Sequence, residues 1–171
     1  GATDVRPFTI TSVLYRLWAA CRVRELIDWQ EQWLATAISG YRPNAGCEDI
    51  WLSQALAIER ALLLDEPIVG MGIDFAKAFD RVPTHILLQM AEEIGVNPAI
   101  VTGLRGMYSQ MERRRKVGPF VGEAFTSTNG ILQGCPLSVV MLNMMIHVWV
   151  KDVEAEVEDC EPSAYADGLG V

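Results

Sequence analysis

The sequence predicts an α+β fold in which a small, mostly antiparallel sheet is covered by helices. Apolar residues that recur at steps of three and four predict helices over most of the first 64 residues and in several later stretches. Short apolar runs predict strands that end at Asp74 and at Asp167, and Gly118 with Pro119 separates two extended segments of a predicted hairpin. The resulting order is helix, helix, strand, helix, helix, hairpin, helix, strand, which is typical of α+β domains.

Two helices joined by a loop are predicted for the first part of the chain. Pro7 disfavours helical backbone at the residue before it, so the first helix is expected to begin at about residue 12, and Gly40 is expected to end it. Proline, asparagine and glycine make residues 41–46 a loop. The second predicted helix covers approximately residues 48–64.

Capping residues predict the later helices. Thr84 is a helix N-cap by type, and Gly95 is a typical helix stop. Asn97 and Pro98 form a cap and a first helical residue, and Pro136 can open the last helix in the same way.

Length and composition predict one globular domain. The chain has 171 residues, half of them apolar, which is enough for a single core. It begins without methionine and stops soon after Gly168, so we expect a fragment of a larger protein. The longest apolar run, residues 139–150, is too short to cross a bilayer, which takes about twenty residues. Scattered cysteines and the lack of a basic leader predict an intracellular protein, in the cytoplasm or nucleus, with no membrane partner.

Charge is unevenly distributed along the sequence. The formal net charge of −8 argues against a nucleic-acid partner, but six of the acids lie in residues 152–161, which we expect to form a solvated helix end and linker. Residues 113–116 are the one dense basic cluster, with the sequence Arg-Arg-Arg-Lys. They are either an exposed strand or turn, or a contact for phosphate.

Two aspartates end the predicted strands. If the fold pairs those strands, the carboxylates of Asp74 and Asp167 meet, and they repel each other unless cations lie between them. The pair therefore predicts a site for divalent metal, whose preferred ligands are oxygens. A helix or turn cap is the alternative role for each residue.

Three separated motifs resemble those of reverse transcriptases, in the same order and at similar spacing. Residues 72–82 (GIDFAKAFDRV) resemble the first catalytic motif, residues 129–138 (NGILQGCPLS) the second and residues 165–168 (YADG) the third. Upstream, residues 6–17 and 41–50 resemble the fingers segment of the branch that contains non-long-terminal-repeat (non-LTR) retrotransposons and group II introns. The resemblance covers nearly the whole chain.

This resemblance implies the fingers and palm of a right-hand polymerase, truncated before the thumb. Residues 1–171 would be a single domain, with a helical fingers part at about 1–66 and a palm that carries the catalytic motifs at about 67–171. The implied function is that of a retroelement RNA-directed DNA polymerase, which joins deoxynucleotides to a primer by nucleotidyl transfer with two Mg²⁺ ions. Its partners would be an RNA or DNA template and primer, deoxynucleoside triphosphates, and the rest of a larger polyprotein that has a thumb, with or without an endonuclease.

The resemblance also assigns roles to single residues. Asp74 and Asp167 would be the catalytic, metal-binding acids, and Phe79 would be the aromatic residue that selects deoxynucleotides, although an isolated phenylalanine is more often a core residue. The backbone of Phe75 and Ala76 would approach the incoming triphosphate. Further substrate contacts are expected from Gln133 and Gly134 against template and nucleotide, and from Arg6 against phosphate, with a surface ion pair as the alternative for Arg6.

The chain departs from the family at Gly168, where active members usually carry a second aspartate. Asp-Gly is a strong hairpin-turn dipeptide because glycine accepts positive φ, so we expect the hairpin to form with one carboxylate fewer. This departure leaves an alternative function open. The chain would then be a degenerate reverse-transcriptase-like domain with weak or no catalytic activity. Such a domain would only bind nucleic acid, or would have retained no activity at all. A helical interaction domain with accidental motif matches is a third alternative.

Overall fold

The predicted α+β architecture is confirmed by a computed structural model that describes residues 8–171. Helices alternate with short antiparallel strands, and the order of elements is close to the predicted one. The elements in chain order are α1 Val13–Gln30, α2 Cys47–Leu64, β1 Gly72–Asp74, α3 Ala78–Arg81, α4 Thr84–Ile94, α5 Pro98–Gln110, β2 Arg113–Val117, β3 Phe120–Phe125, α6 Pro136–Glu156, β4 Ser163–Tyr165 and β5 Gly168–Gly170.

The first sheet joins distant parts of the chain. Its strand order is β1-β5-β4 with antiparallel neighbours, so β5 lies between its hairpin partner β4 and the much earlier β1. Beyond β4, Ile38 forms a parallel bridge with Ala164, and the Ser39 N–H donates to the Ala164 carbonyl at 2.9 Å. The sheet thereby draws the loop after α1 towards the β4–β5 hairpin.

The second sheet is the β2–β3 hairpin. Arg113 pairs with Phe125 at its base and Val117 with Phe120 at its tip, and a bulge interrupts the register between Arg114 and Lys116. All but one of its strand residues are exposed, so it extends from the body of the protein.

Helix α6 forms the centre of the core. Its sequence is apolar on nearly all sides, which is expected of a helix that is buried all round. It packs against α1 and α4. The buried residues that α6 contributes are Leu137, Ser138, Val140, Met141, Leu142, Asn143, Met144, Ile146 and Val150.

Most helix boundaries agree with the capping signals. Gly95 ends α4 with φ of 95°, and the Asn97 side chain accepts a hydrogen bond from the Ala99 N–H at 2.9 Å at the start of α5. Thr84 is the first residue of α4 rather than its cap, because its hydroxyl donates to the Gly130 carbonyl at 3.3 Å.

The prediction that the first helix continues to Gly40 is wrong, since α1 ends at Gln30. The Arg42 guanidinium donates to the carbonyls of Ala35 and Ile38 at 3.2 and 3.1 Å, and these carbonyls would otherwise accept bonds within a longer helix. Contacts made by the folded chain therefore override the helical periodicity of this stretch.

None of the helices in residues 8–171 is long and apolar enough to span a membrane. Helix α6 has sufficient length, but its last turns carry acidic side chains.

Replacement of Leu87 by alanine should lower the free energy of unfolding by about 2–5 kcal/mol, because the substitution leaves a cavity in a close-packed core. Leu87 lies in α4 with 0% of its surface exposed. Leu63→Ala is the matched control, because Leu63 in α2 is 85% exposed and its loss should change stability by at most about 0.5 kcal/mol. Urea unfolding measures both values, and similar losses for the two variants would contradict this packing.

Candidate active site

The structure brings the backbones of the two predicted acids together. Asp74 ends β1 and is paired with Gly168 of β5, the residue that follows Asp167. The Phe75 N–H donates to the Asp167 carbonyl at 3.2 Å, so the two chain segments remain in contact beyond the strands. Both acids are therefore placed at the same end of one strand pair.

The hairpin turn differs from the predicted one. Tyr165 and Gly168 are paired, so the two loop residues are Ala166 and Asp167. Ala166 has the positive φ, 53°, whereas Gly168 lies in β5 with no positive φ. The expectation that Gly168 supplies the left-handed residue is wrong, because the hairpin closes one residue earlier than the dipeptide suggested.

Two residues outside the motifs support this turn. A Cβ atom on Gly40 would lie 2.5 Å from the Ala166 nitrogen, so only glycine allows the loop after α1 to pack against the turn. The buried Asn143 side chain donates to the Gly40 carbonyl at 3.1 Å and fixes that loop to α6. In the sequence, Asn143 was visible only as a polar interruption of an apolar run.

The residue opposite Asp74 is the glycine that replaces the expected second aspartate. A Cβ atom at Gly168 would meet only the Tyr165 carbonyl oxygen, at 3.5 Å, which is an ordinary contact. Directly opposed residues of antiparallel strands have Cβ atoms about 5 Å apart. An aspartate at this position would fit and would add a carboxylate beside Asp74.

The second motif is bonded to the segment that follows β1. The Gly130 N–H donates to the Val82 carbonyl and the Ile131 N–H to the Phe79 carbonyl, each at 2.7 Å. The Gln133 side chain donates to Asp80 Oδ1 at 3.1 Å. This bond orients the Gln133 side chain.

An open cleft of about 500 Å³ lies between the motifs. Four of the predicted site residues line it. Asp167 comes from the turn of the β4–β5 hairpin, Phe79 from α3, and Gln133 and Gly134 from the second motif. The remaining lining residues were not predicted as site residues, and they are Phe8, Tyr41, Cys135, Pro136 and Val139.

Three predicted site residues among residues 8–171 are not on the cleft wall. Asp74, Phe75 and Ala76 are exposed at the end of β1 and just after it. Arg6 lies outside the described residues.

Gly134 is a position where the backbone requires glycine. Its φ is 96°, and a Cβ atom would lie 2.7 Å from carbon atoms of the Phe8 ring. The Thr9 N–H also donates to the Gln133 carbonyl at 3.0 Å, so residues 8 and 9 lie along the second motif. The absence of a side chain thus allows an aromatic ring to approach the cleft.

Tyr41, in the loop after α1, contacts the β4–β5 hairpin. Its ring stacks on Tyr165 with centroids 6.3 Å apart. Burial first, and then the charges of Asp167 and Tyr165, raise the pKa of the Tyr41 phenol above its usual value. The Asp167 carboxylate is therefore an electrostatic neighbour of Tyr41.

Two further tyrosines hold the second motif in place. Tyr108 Oη accepts a hydrogen bond from the Leu132 N–H at 3.4 Å, and burial is the main cause that raises the pKa of Tyr108 to about 12. Tyr15 Oη lies 3.1 Å from Cys135 Sγ, and burial likewise raises the pKa of Tyr15. Both phenols remain protonated at neutral pH, so they act as hydrogen-bonding groups rather than as bases.

The metal-binding capacity of the site is limited to a pair of acids. Within residues 8–171 no group of three or more histidine, cysteine, aspartate or glutamate side chains is arranged to hold a metal ion. Mg²⁺ in phosphate-handling sites typically takes one or two carboxylates from the protein and its other ligands from water and substrate phosphates. Asp74 and Asp167 are the residues that could supply these one or two carboxylates.

Comparison with known proteins agrees with the motifs. Residues 1–171 match the family described as "Reverse transcriptase (RNA-dependent DNA polymerase)", and the chain belongs to this family. The predicted resemblance is thereby confirmed. A curated relative is the "Retrovirus-related Pol polyprotein from type-2 retrotransposable element R2DM" of Drosophila melanogaster, which is 22% identical over 157 residues. The match covers 90% of this chain and 14% of that polyprotein, so the chain spans about one-seventh of the relative's length.

Asp167→Asn should lower the pKa of Tyr41 towards its usual value, because removal of a neighbouring negative charge makes the phenolate less unfavourable. The ring-carbon chemical shifts of Tyr41, followed by NMR against pH in the presence of a chelator, measure this pKa. Asp152→Asn, at an exposed position of α6, is the matched control and should leave it unchanged. An unaltered Tyr41 pKa in the Asp167 variant would contradict the proximity of the two groups.

Proposed function

We propose that this chain is the fingers and palm part of a retroelement RNA-directed DNA polymerase of the non-LTR or group II type. Residues 1–66 would form the fingers part and residues 67–171 the palm. The observation that supports the proposal is the pairing of Asp74 with Gly168, the neighbour of Asp167, together with the cleft that Asp167, Phe79 and Gln133 line. Family membership supports the reaction class.

Asp74 and Asp167 would hold two Mg²⁺ ions in this proposal. The ions would supply two effects, acidification of the primer 3′ hydroxyl and neutralisation of the leaving pyrophosphate. The contribution of the chain would be to hold the two acids at the same end of the β1–β5 pair before substrate arrives. Preorganisation of this kind avoids a reorganisation cost in the reaction itself.

The cleft residues would position the incoming deoxynucleoside triphosphate. Phe79 is half-buried on the wall and bonded through its carbonyl to Ile131, so its ring would form a fixed surface against the sugar. Gln133, oriented by Asp80, would contact template and nucleotide with Gly134. The exposed backbone after β1 at Phe75 and Ala76, and Arg6 upstream, would contact phosphate oxygens.

The proposed macromolecular partners are an RNA or DNA template and its primer. The relative is a polyprotein of which the matched region is a small part. We therefore propose that this chain also acts within a larger protein that supplies a thumb, with or without an endonuclease.

A second candidate function is a degenerate domain that binds nucleic acid without efficient synthesis. It is favoured by the residue opposite Asp74, which is Gly168. The proposed site therefore has two acids where a third could have been accommodated.

Primer extension on an RNA template with Mg²⁺ tests the proposed chemistry in the natural protein that contains this chain. Asp74→Asn and Asp167→Asn should each reduce the rate at least about 100-fold, because metal stabilisation is worth several kcal/mol and about 1.4 kcal/mol corresponds to a tenfold change. Asp152→Asn is the matched control and should extend the primer normally.

Gly168→Asp distinguishes the two candidate functions in the same assay. An active natural protein supports the polymerase. An inert protein that gains Mg²⁺-dependent synthesis through Gly168→Asp supports the degenerate domain. Retention of full synthesis by both asparagine variants would refute the roles of the acids.

Phe79→Val should reduce discrimination against ribonucleotides about tenfold or more, because the smaller side chain leaves space for a 2′ hydroxyl. The ratio of kcat/KM for a deoxynucleotide to that for the matching ribonucleotide measures the effect. Phe125→Val, in the exposed β2–β3 hairpin, serves as the control and should leave the ratio unchanged. An unaltered ratio in the Phe79 variant would assign Phe79 to packing alone.

A further inference from the structure

We propose that the β2–β3 hairpin binds the phosphate backbone of a nucleic-acid duplex through Arg114 and Lys116. The proposal rests on the proposed function, because a polymerase site is what would bring template and primer next to this hairpin. The sequence left two roles open for the basic cluster, residues 113–116: an exposed strand or turn, or a contact for phosphate. The proposal assigns it the second role.

The cluster is a local excess of positive charge in an acidic chain. The formal net charge is −8, yet residues 113–116 of β2 are four consecutive cations. Within the described part of the chain, none of the four takes part in an ion pair. The acids nearest in sequence on the hairpin are Glu112, before β2, and Glu123 in β3, so the hairpin keeps an excess of positive charge.

Two of the four cations have structural contacts. The Arg113 guanidinium donates to the Gly130 carbonyl at 3.3 Å, and the Arg115 guanidinium lies over the Phe125 ring at 5.4 Å from its centroid. A cation over an aromatic face is held there by electrostatic attraction. These contacts fix the hairpin and leave Arg114 and Lys116 as the cations available to a ligand.

The two available cations share a face of the hairpin. The bulge adds its extra residue to β3, which advances three residues from Ala124 to Val121 while β2 advances two, so alternation is kept along β2. Alternate residues of a strand point to the same side, so Arg114 and Lys116 lie on the face opposite to that of Arg113 and Arg115. Their partners across the hairpin are Ala124 and Val121, which carry no charge. This face therefore presents two exposed cations with no acid directly opposed to them.

The hairpin is attached directly to the candidate active site. The Gly130 carbonyl that accepts from Arg113 belongs to the same residue whose N–H is bonded to Val82, so the base of the hairpin adjoins the second motif. A strand rises about 3.3 Å per residue, which places Lys116 about 10 Å along β2 from Arg113. A duplex that leaves the cleft on this side would pass within reach of both cations.

The tip of the hairpin has a composition that suits nucleic acid. Val117, Phe120 and Val121 are 76%, 78% and 58% exposed, so apolar side chains lie next to the cations. Aromatic and apolar side chains that accompany a basic groove typically contact bases or sugars while the cations contact phosphates. Phosphate is the ligand that complements the charge of this face.

The test is the salt dependence of binding in the natural protein that contains this chain. Binding of a fluorescently labelled RNA–DNA primer–template is measured at several NaCl concentrations without nucleotide. The double variant Arg114→Gln/Lys116→Gln should weaken binding equally for unrelated sequences and reduce the slope of log K against log salt by about 2, approximately 1 for each lost phosphate contact.

The control is Arg105→Gln/Lys151→Gln, which removes the same charge from α5 and α6. Those cations are already paired with Glu92 and Glu154 at 2.8 and 2.6 Å, so this variant should keep the natural slope. The proposal would be overturned if both double variants kept the natural slope of log K against log salt. It would also be overturned if both variants reduced this slope by the same amount. A natural protein that binds no duplex would overturn it as well.

Failure of the polymerase assignment gives a different pattern. In that case neither the natural protein nor Gly168→Asp extends a primer. The primer–template still binds, and the Arg114→Gln/Lys116→Gln variant still reduces the slope of log K against log salt. Normal primer extension with a hairpin-independent slope would instead refute the hairpin contact and leave the polymerase assignment intact.

Discussion

The antiparallel pairing of β1 with β5 is the contact on which the candidate site depends. Separated by more than ninety residues in sequence, the strands meet with Asp74 opposite Gly168, and the pairing continues through reciprocal backbone bonds between Met71 and Val171 at 2.8 and 3.0 Å. A shift of one residue in this register would turn Asp74 to the other face of the sheet. The relation between the two acids is therefore set by backbone geometry before any ligand is considered.

Polar groups around the core maintain that register. Buried Asn143 on α6 bonds the Gly40 carbonyl, and Gly40 in turn packs against Ala166 in the hairpin turn. On the other side of the cleft, two bonds of 2.7 Å attach the second motif to the segment that contains Phe79. Asn143 is buried in an apolar stretch of α6, so the bond that its amide N–H donates favours one arrangement of this loop.

The same geometry bears on the second aspartate that the resemblance leads one to expect at position 168. The glycine is not required by the turn, because the left-handed residue is Ala166, and the space beside Gly168 is open. The backbone and the space around Gly168 would therefore tolerate a side chain at this position. If the proposed metal site is correct, a site with two acids would depend more on substrate oxygens to complete the coordination of a divalent ion.

Patterns within the sequence were sufficient to predict the fold class, most helix boundaries and the family, because helical periodicity, capping residues and motif spacing are local properties of the chain. Motif residues such as Phe79 and Gln133 were predicted as site residues and line the cleft. The end of α1, the residues of the β4–β5 turn, and the presence of Tyr41 and Phe8 on the cleft wall became visible in the folded structure alone. These features arise from contacts between segments far apart in sequence, as between Gly40 and the hairpin, and no local pattern encodes such contacts.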